Sequence, residues 1–509
     1  MPAESVFKSR KLAEIYDEIR HVYLSDNRPW ILGFSGGKDS TCMTQLIWNA
    51  LSELSPKQLK KRIYIISSDT LVESPKIVEQ ITNTLEKMES AAKKSNLPIS
   101  TNLVRPEIKD SFWVCLLGKG FPAPSNLFRW CTDRLKIRNA DRFIEEKVSQ
   151  YGEAIVVLGT RKDESGSRQQ LMSLYEIEGS LLSRHSKFPQ TYVYTPLRDF
   201  ITEDVWNFLL QNPNPWGANN RDLLALYQNA NAAECPLVVD TSTPSCGNSR
   251  FGCWVCTVVS EDTSLKNTID NGEEWMEPLL ELRQELKDTQ DPEKRKSIRE
   301  LKRRTGQMKL IDEIKLKKFS ENIEEARMRQ KIDERLSKSD PYSVLVPGPY
   351  TMDFCKQFLE KLLKAQKKIR QTGPDPQMSL ILEEELHEIQ RIWRMERGDW
   401  RNSVYEIYEK AMGEKLQEFQ EDLAGFGSVE QEILEEICDK NQVPQLLVSK
   451  LLNVEYESQG MTKHSKVFHE INKVLNEEWR EDVNEIIKDL KNQKDDKKSY
   501  SNQEFEVNS

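Results

Sequence analysis

The sequence predicts an α/β protein, in which a parallel twisted sheet carries helices on both faces and is followed by a cysteine-rich insert and a largely helical C-terminal region. Three observations support this fold class. In the first ~240 residues, short apolar runs alternate with helical patterns, as expected where helices connect parallel strands. Four cysteines fall within residues 235–256. From residue 261 onward, the composition is almost entirely helical, with few β-branched runs.

The elements of the sheet can be placed in order along the chain. A first strand is expected in "PWIL", directly before residue 33, and later strands are predicted at 62–70, 99–106, 154–161 and 191–197. Helical patterns between them cover 74–95, 133–149 and 202–211. In the last of these, Thr202 is expected to cap the helix, and Leu210 is expected to face the core.

Changes in composition divide the chain into five parts. We expect an ATP pyrophosphatase-like domain at 1–234, a cysteine segment at 235–260, a basic helical region at 261–345, a helical C-terminal domain at 346–490 and a disordered tail at 491–509.

Composition and charge exclude several classes of protein. The net charge is -9, so nucleic acid could be attracted only by a local basic face. No apolar run approaches the ~20 residues of a membrane helix, and the first residues lack the apolar core of a signal peptide. We therefore expect a cytoplasmic protein with no membrane partner. In that reducing compartment, the nine cysteines favour metal or redox chemistry over structural disulfides.

The stretch "GFSGGKDST", residues 33–41, predicts a phosphate-binding loop. Its two glycines allow backbone N–H groups to converge on an anion at the start of a helix. Lys38 adds a positive charge, and Ser35 and Ser40 can donate hydrogen bonds. The pattern is not G-x-x-x-x-G-K-[ST], which excludes the common nucleoside-triphosphatase loop.

The "SGGKDS" motif resembles the pyrophosphate-binding loop of the N-type ATP pyrophosphatases. The resemblance implies that ATP, with Mg²⁺, is cleaved between its α- and β-phosphates and that an oxygen of a second substrate is adenylated. It assigns nucleotide contacts to Ser35, Gly36, Gly37, Lys38, Asp39 and Ser40, with Lys38 and Asp39 also catalytic.

Two later stretches follow predicted strands. Asp69 ends the second strand, where its carboxylate could meet a ribose or a metal. "LGTRKDESGSR", residues 158–168, resembles the G-x-R-x-x-E-S stretch of the sulfonucleotide reductase branch. There Gly159, Arg161 and Arg168 are candidates for nucleotide binding, Arg161 also for catalysis, and Glu164 and Ser165 are expected to order the loop.

"FRWCTDRLKI", residues 128–137, resembles the R-x-C-[CT]-x-x-x-K stretch of the same branch. The resemblance assigns Arg129 and Lys136 to a phosphate or sulfate and adds Cys131 as a catalytic candidate. Reductases with an iron–sulfur cluster have two adjacent cysteines here, whereas this chain has Thr132 after Cys131. The last cysteine, Cys438, lies in a helical pattern whose apolar spacing indicates burial. Both departures argue against a small-molecule reductase.

The stretch 235–256 has the spacing C-x10-C-x6-C-x2-C, formed by Cys235, Cys246, Cys253 and Cys256. Its single C-x-x-C pair favours a [4Fe–4S] cluster over zinc, which usually takes two such pairs. Two alternatives stay open: a zinc site, and free thiols used for persulfide chemistry. Whether Cys131 takes the place of Cys235 as a ligand also stays open. Cys42, Cys115 and Cys355 are expected in the core.

The loop, the reductase-like stretches, the cysteine run and "VPGPYT" in the helical tail together resemble the DNA phosphorothioation sulfurtransferase family, DndC. This resemblance implies an enzyme that exchanges a non-bridging oxygen of a DNA backbone phosphate for sulfur. It implies as partners DNA, a cysteine desulfurase as the sulfur donor, and other subunits of a modification complex, including an ATPase.

Three alternatives stay open: a sulfonucleotide reductase, a tRNA thiolase, and an ATP-binding scaffold of a modification complex. A separate hypothesis assigns DNA contacts to one basic helix over 293–310. Its cations are Lys294, Arg295, Arg299, Lys302, Arg303 and Arg304. A solvated charged helix explains the same residues equally well.

Overall fold

The computed structural model describes residues 4–126, 128–230, 252–311, 340–417, 427–458 and 465–493. Cys235 and Cys246 lie outside these ranges. The chain divides into two compact units. The first unit takes in Met1–Phe112, Pro124–Lys287 and Lys368–Leu380, and the second takes in Trp113–Ala123, Asp288–Lys367 and Ile381–Ser509.

The first unit is built on a six-stranded sheet with the order β3-β2-β1-β4-β6-β5. Its strands are β1 (Trp30–Gly33), β2 (Ile63–Ser68), β3 (Ile99–Val104), β4 (Ala154–Val157), β5 (Leu182–Arg184) and β6 (Thr191–Tyr194). All neighbouring pairs are parallel except β5 with β6. The predicted fold class is confirmed, although the short antiparallel edge strand β5 was missed because three residues give no periodicity.

Helices pack on both faces of this sheet. The longer helices of the first unit are α1 (Leu12–Leu24), α2 (Lys38–Ser52), α3 (Pro75–Lys94), α4 (Arg138–Tyr151), α5 (Gly166–Leu174), α6 (Thr202–Gln211), α7 (Asn220–Ala230), α8 (Thr263–Asp270) and α9 (Glu277–Asp288). Alternate residues of β1 face opposite layers. Leu32 packs in the core that includes α2, whereas Ile31 packs with Ala140 and Ile144 of α4. Burial on both faces explains the continuous apolar runs.

The start of α6 differs from the prediction. Thr202 is the first helical residue rather than the cap, and Asp204 accepts the hydrogen bond from the N–H of Ile201 at 3.1 Å. Leu210 is exposed, and Phe208 takes the core position. The prediction failed because each residue advances by about 100° around a helix. Leu210 is five residues after the buried Val205 and lies about 140° from it, whereas Phe208 lies about 60° from it and shares its buried face.

The second unit is helical in the described ranges, as predicted for the C-terminal region. Its helices are α10 (Pro292–Ile298), α11 (Met352–Thr372, counted to the first unit from Lys368), α12 (Glu383–Arg397), α13 (Ser403–Met412), α14 (Ser428–Asn441), α15 (Gln445–Ser458), α16 (Ser465–Leu475) and α17 (483–493). Cys115, Cys355 and Cys438 are buried here, and Cys42 is buried in the first unit. Their prediction as core residues is confirmed.

The predicted continuous basic helix over 293–310 is wrong. α10 ends at Ile298, and Arg299 forms an isolated bridge with Tyr350. The buried Arg299 Nε donates to the carbonyl of Gly348 at 2.7 Å, and burial lowers the pKa of its guanidinium to about 10. Arg304 donates two hydrogen bonds to Glu396, at 2.7 and 2.6 Å. These arginines therefore stabilise the second unit, and a phosphate row along one helix does not form.

Within the described ranges, no helix combines the length and apolar character needed to cross a bilayer.

Candidate nucleotide and thiol site

The loop between β1 and α2 is closed by its own hydroxyls. The N–H of Gly37 donates to Ser35 Oγ and the N–H of Ser35 donates to Ser40 Oγ, both at 3.2 Å. The two hydroxyl oxygens are 2.9 Å apart, and Ser40 Oγ donates to the carbonyl of Gly37 at 3.0 Å. Gly36 has a φ of +72°, which glycine adopts at little cost. The serines predicted to donate to a phosphate thus also fix the loop's shape.

Lys38 and Asp39 begin α2 and form a buried charged group with Arg161. The Lys38 ammonium is 2.6 Å from one Asp39 oxygen, and Arg161 Nε donates to the other at 2.7 Å. Arg161 is only 3% exposed, and its remaining nitrogens contact the Thr202 hydroxyl and the carbonyl of Phe200. In this arrangement Arg161 orients the loop through Asp39. Its direct contact with phosphate stays a prediction.

Gly159 has a packing reason for lacking a side chain. A Cβ at this position would lie 2.9 Å from the carbonyl carbon and oxygen of Asp39 and 3.2 Å from the N–H nitrogen of Ser40. The backbone after β4 therefore approaches the first turn of α2 as closely as a glycine allows. This contact joins the two stretches predicted to bind nucleotide.

Tyr227 of α7 is a member of the site that the sequence did not indicate. Its hydroxyl accepts a hydrogen bond from the N–H of Lys38 at 3.0 Å, and its ring centroid is 5.7 Å from the Lys38 ammonium. The Tyr227 hydroxyl oxygen therefore already accepts a hydrogen bond from one N–H group at the N-terminus of α2, a position that favours an anion. No local pattern around residue 227 could have signalled this contact.

The loop after β4 is ordered as predicted. Glu164 accepts from the N–H of Arg161 at 2.8 Å, and Ser165 caps α5 by accepting from the N–H of Arg168 at 3.1 Å. Burial raises the pKa of Glu164, while the Arg168 guanidinium at 3.3 Å opposes the rise. Arg168 is thereby held beside the loop that carries Arg161.

Asp69 shapes the turn that follows β2. One of its oxygens accepts from the N–H of Leu71 and the other from Arg105 Nε, both at 2.9 Å. Leu71 has a φ of +64°, a left-handed conformation that costs a residue with a side chain about 1–2 kcal/mol. The Asp69 carboxylate therefore supports a strained turn in this structure, and its contact with ribose or metal stays a prediction.

The C-x-x-C stretch pairs with the segment directly after β2. The N–H of Ser74 donates to the carbonyl of Gly252, and the N–H of Trp254 donates to the carbonyl of Val72, both at 3.1 Å. The N–H of Cys256 donates to the carbonyl of Cys253 at 3.1 Å and closes the turn between the thiols. Because β1 and β2 are parallel neighbours, the loop and the thiol turn lie at the same edge of the sheet.

Three polar side chains are grouped around Cys253. Its Sγ lies 3.3 Å from the Thr70 hydroxyl and 3.6 Å from Glu73 Oε1, and the same carboxylate oxygen is 3.6 Å from the Lys136 ammonium. Burial raises the pKa of the Cys253 thiol, and the negative charge of Glu73 adds to the rise. Thr70 and Glu73 were missed by sequence reasoning, although both directly follow the strand end at which Asp69 was noticed.

Arg129 and Cys131 lie on the chain that leads to Lys136. Arg129 donates to the side-chain oxygen of Asn126 at 3.1 Å, and Cys131 is half-buried in the turn Trp130–Thr132. Among the residues that the structure describes, no group of three or more Cys, His, Asp or Glu side chains has metal-binding geometry. Two of the four predicted ligands are outside those ranges, so the predicted cluster stays a prediction.

Residues 29–259 match the family model described as the phosphoadenosine phosphosulfate reductase domain. The match spans β1 to β6, the loop and the C-x-x-C pair. Residues 29–259 are therefore similar to that domain, and the match covers just under half of the chain. The superfamily expected from the loop and the reductase-like stretches is therefore supported, whereas the match does not reach the narrower DNA phosphorothioation family.

Two further proteins resemble parts of the chain. An uncharacterized protein of Methanocaldococcus jannaschii is 25% identical over 238 residues, which are 47% of this chain and 38% of the relative. The chain thus spans well under half of that relative's length. The crystal structure of phosphoadenylyl-sulfate reductase from Candida auris, in a phosphate complex, matches with a TM-score of 0.26 and 15% identity, covering 43% of this chain and 87% of the other.

Proposed function

We propose that the protein is an ATP-dependent sulfurtransferase that replaces a non-bridging oxygen of a DNA backbone phosphate with sulfur. The proposal rests on one observation: two groups of residues suited to different chemical steps lie at the same edge of the sheet. The loop with Lys38 and the thiol turn with Cys253 follow neighbouring strands of one sheet. An adenylating loop alone would fit many enzymes, whereas a loop beside soft thiols suits the exchange of oxygen for sulfur.

The proposed reaction has two displacements. In the first, a phosphate oxygen of DNA attacks the α-phosphorus of ATP, and pyrophosphate leaves into the loop. The loop N–H groups and the Lys38 ammonium would stabilise the charge that develops on the leaving group. In the second, the terminal sulfur of a persulfide formed on a cysteine desulfurase attacks the activated phosphorus, and AMP leaves with the original oxygen. A dithiol then reduces the resulting S–S bond, which leaves the sulfur on the DNA phosphorus and returns the desulfurase cysteine to a thiol.

The thiols of Cys253 and Cys256 fit one half of an iron–sulfur site. They are three residues apart in a hydrogen-bonded turn, and Trp254 and Val255 between them are buried, which would shield a cluster from water. Cys235 and Cys246 would supply the other two thiolates. A bound [4Fe–4S] cluster would supply one-electron chemistry and iron with affinity for sulfur.

The products of ATP cleavage test the proposal. Protein purified without oxygen would be incubated with ATP labelled on the α- or γ-phosphate, duplex DNA, a desulfurase with cysteine, and a dithiol reductant. We expect AMP and pyrophosphate to form, and phosphorothioate to appear in nuclease digests of the DNA. Release of inorganic phosphate alone would contradict the proposal. Iron, zinc and sulfide analysis of the same sample would distinguish a four-iron cluster from zinc.

A sulfonucleotide reductase is the second candidate, because residues 29–259 match that domain. The same preparation would be supplied with phosphoadenylyl sulfate and a dithiol reductant. Sulfite release without ATP or DNA would favour the reductase over the sulfurtransferase.

A further inference from the structure

We propose that a row of arginines on α4 and the turn before it binds the phosphate backbone of a nucleic acid and leads it to the Lys136–Glu73–Cys253 group. The inference deepens the proposed function, since it assumes a nucleic-acid substrate for the same site. It replaces the phosphate row that the sequence placed on 293–310, which the structure does not form.

Three arginines recur at intervals of four residues: Arg134, Arg138 and Arg142. The first lies in the wide helical turn Asp133–Ile137, and the others lie in α4, which continues directly from it. An interval of four keeps side chains on one face of a helix. At about 1.5 Å per residue, the row extends for about 12 Å, which is the axial rise of roughly three phosphates on one DNA strand.

Two carboxylates beside the row are each shared by two cations. Asp110 accepts from both Arg134 and Arg138. Glu107 accepts from Arg142 at 3.0 Å and pairs with Lys109 at 2.8 Å. Asp133 also contacts Arg138, at 2.8 Å. These shared contacts fix the positions of the cations.

These ion pairs do not prevent binding of a polyanion. The side chains of Arg138 and Arg142 are 47% and 49% exposed, and that of Lys109 is 66% exposed. Ion pairs so open to water contribute at most about 1 kcal/mol each, so a phosphate can replace or join a carboxylate at little cost. Planar guanidinium groups present several donors, which suits bidentate contacts with phosphate.

The row also leads to the site described above. Lys136 lies between Arg134 and Arg138 in the chain, and its ammonium is 3.6 Å from the Glu73 carboxylate that neighbours Cys253. Lys136 is two residues from each of these arginines, so it projects away from their face of the helix and toward Glu73. A strand held along α4 would therefore reach the thiol turn at the Arg134 end of the row. Because the whole chain carries a net charge of -9, attraction of a nucleic acid requires a local group of cations.

The test is the salt dependence of binding, measured with the full-length protein on labelled duplex DNA and on a tRNA transcript. The variant Arg138→Glu with Arg142→Glu would be compared with the control Lys57→Glu with Lys60→Glu. The control lysines are exposed in the connection that precedes β2, at the opposite edge of the sheet. The variant Arg138→Gln with Arg142→Gln removes charge without creating repulsion, and thermal unfolding reports whether each variant folds.

Loss of two phosphate contacts should reduce the slope of log K against log salt by nearly 2, at about 0.9 per contact on duplex DNA. We expect this change in both arginine variants, with ATP binding and the control unchanged. Equal slopes for folded arginine variants and wild type would overturn the inference, even if the wild type modifies DNA. Binding to tRNA alone, still dependent on the arginines, would support the row and contradict a DNA substrate. Binding to neither nucleic acid would contradict both.

Discussion

The phosphate loop and the thiol turn occupy the same edge of the sheet but are held in different ways. The loop of residues 35–40 is closed mainly by hydrogen bonds among its own residues. The thiol turn instead depends on a segment about 180 residues earlier, through Val72, Glu73 and Ser74. A local site leaves a contiguous motif in the sequence, whereas a site assembled from distant segments leaves only scattered residues.

Replacement of Lys38 by alanine should give the largest effect and tests whether the loop is catalytic as well as structural. We expect pyrophosphate release to fall about 10²–10³-fold, because a charge that stabilises the leaving group is lost. The measurement is the initial rate with labelled ATP, and Lys57→Ala is the control for a general change of charge. An unchanged rate would mean that Lys38 serves only to pair with Asp39.

The contact between the first turn of α2 and the backbone after β4 can be tested at Gly159. The change Gly159→Ala should lower the free energy of unfolding by about 1–3 kcal/mol, because its Cβ would overlap the backbone of Asp39. It should also weaken ATP binding, since the first turn of α2 must shift. Urea denaturation and calorimetric titration would measure the two effects.

Gly166→Ala is the matched control for that change. It is a glycine of the same loop region, and a Cβ there would meet no atom within 4 Å. If both glycine variants behave alike, the close approach at Gly159 does not hold the loop.

A glycine in place of Leu71, in the strained turn after β2, should raise the free energy of unfolding rather than lower it. Leu71→Gly removes the penalty of a positive φ but adds unfolded-chain entropy, so we expect a net gain of about 0.5–1 kcal/mol. Asn96→Gly, at a φ of +56°, should gain less, because asparagine tolerates this conformation. Thermal unfolding of both variants would measure the difference. A loss of stability in Leu71→Gly would show that the leucine side chain contributes more than the strain costs.

The smallest effect is expected for a substitution of Glu73, which should change the reactivity of the Cys253 thiol. In metal-free protein, burial and the Glu73 carboxylate raise the pKa of Cys253, so the thiol stays protonated near neutral pH. Glu73→Gln removes the negative charge and should lower that pKa, which increases the thiolate fraction and speeds alkylation by several-fold at pH 8.5. Mass spectrometry would follow labelling of Cys253, with Cys131 in the same sample as the internal reference. A slower reaction would contradict the proposed electrostatic effect.

Much of the fold was predictable, because apolar runs such as 154–157 and the helical pattern near 75–94 are local signals. The predicted start of α6 was wrong, since Ile201 rather than Thr202 is the capping residue, and its N–H donates to Asp204. In the site, the loop serines and Gly159 were noticed, but Tyr227 and Glu73 were not. Both act through contacts that join residues far apart in the chain, and neither belongs to a recognisable pattern.

The parallel sheet, the Gly-Gly loop after β1 and the C-x-x-C pair could be read from the sequence, because each depends on residues that are neighbours along the chain. The contact of Arg161 with Asp39 and the position of Glu73 between Lys136 and Cys253 are visible only in the folded protein. Those arrangements follow from strand order and helix packing, which bring side chains together across distances that no local pattern records.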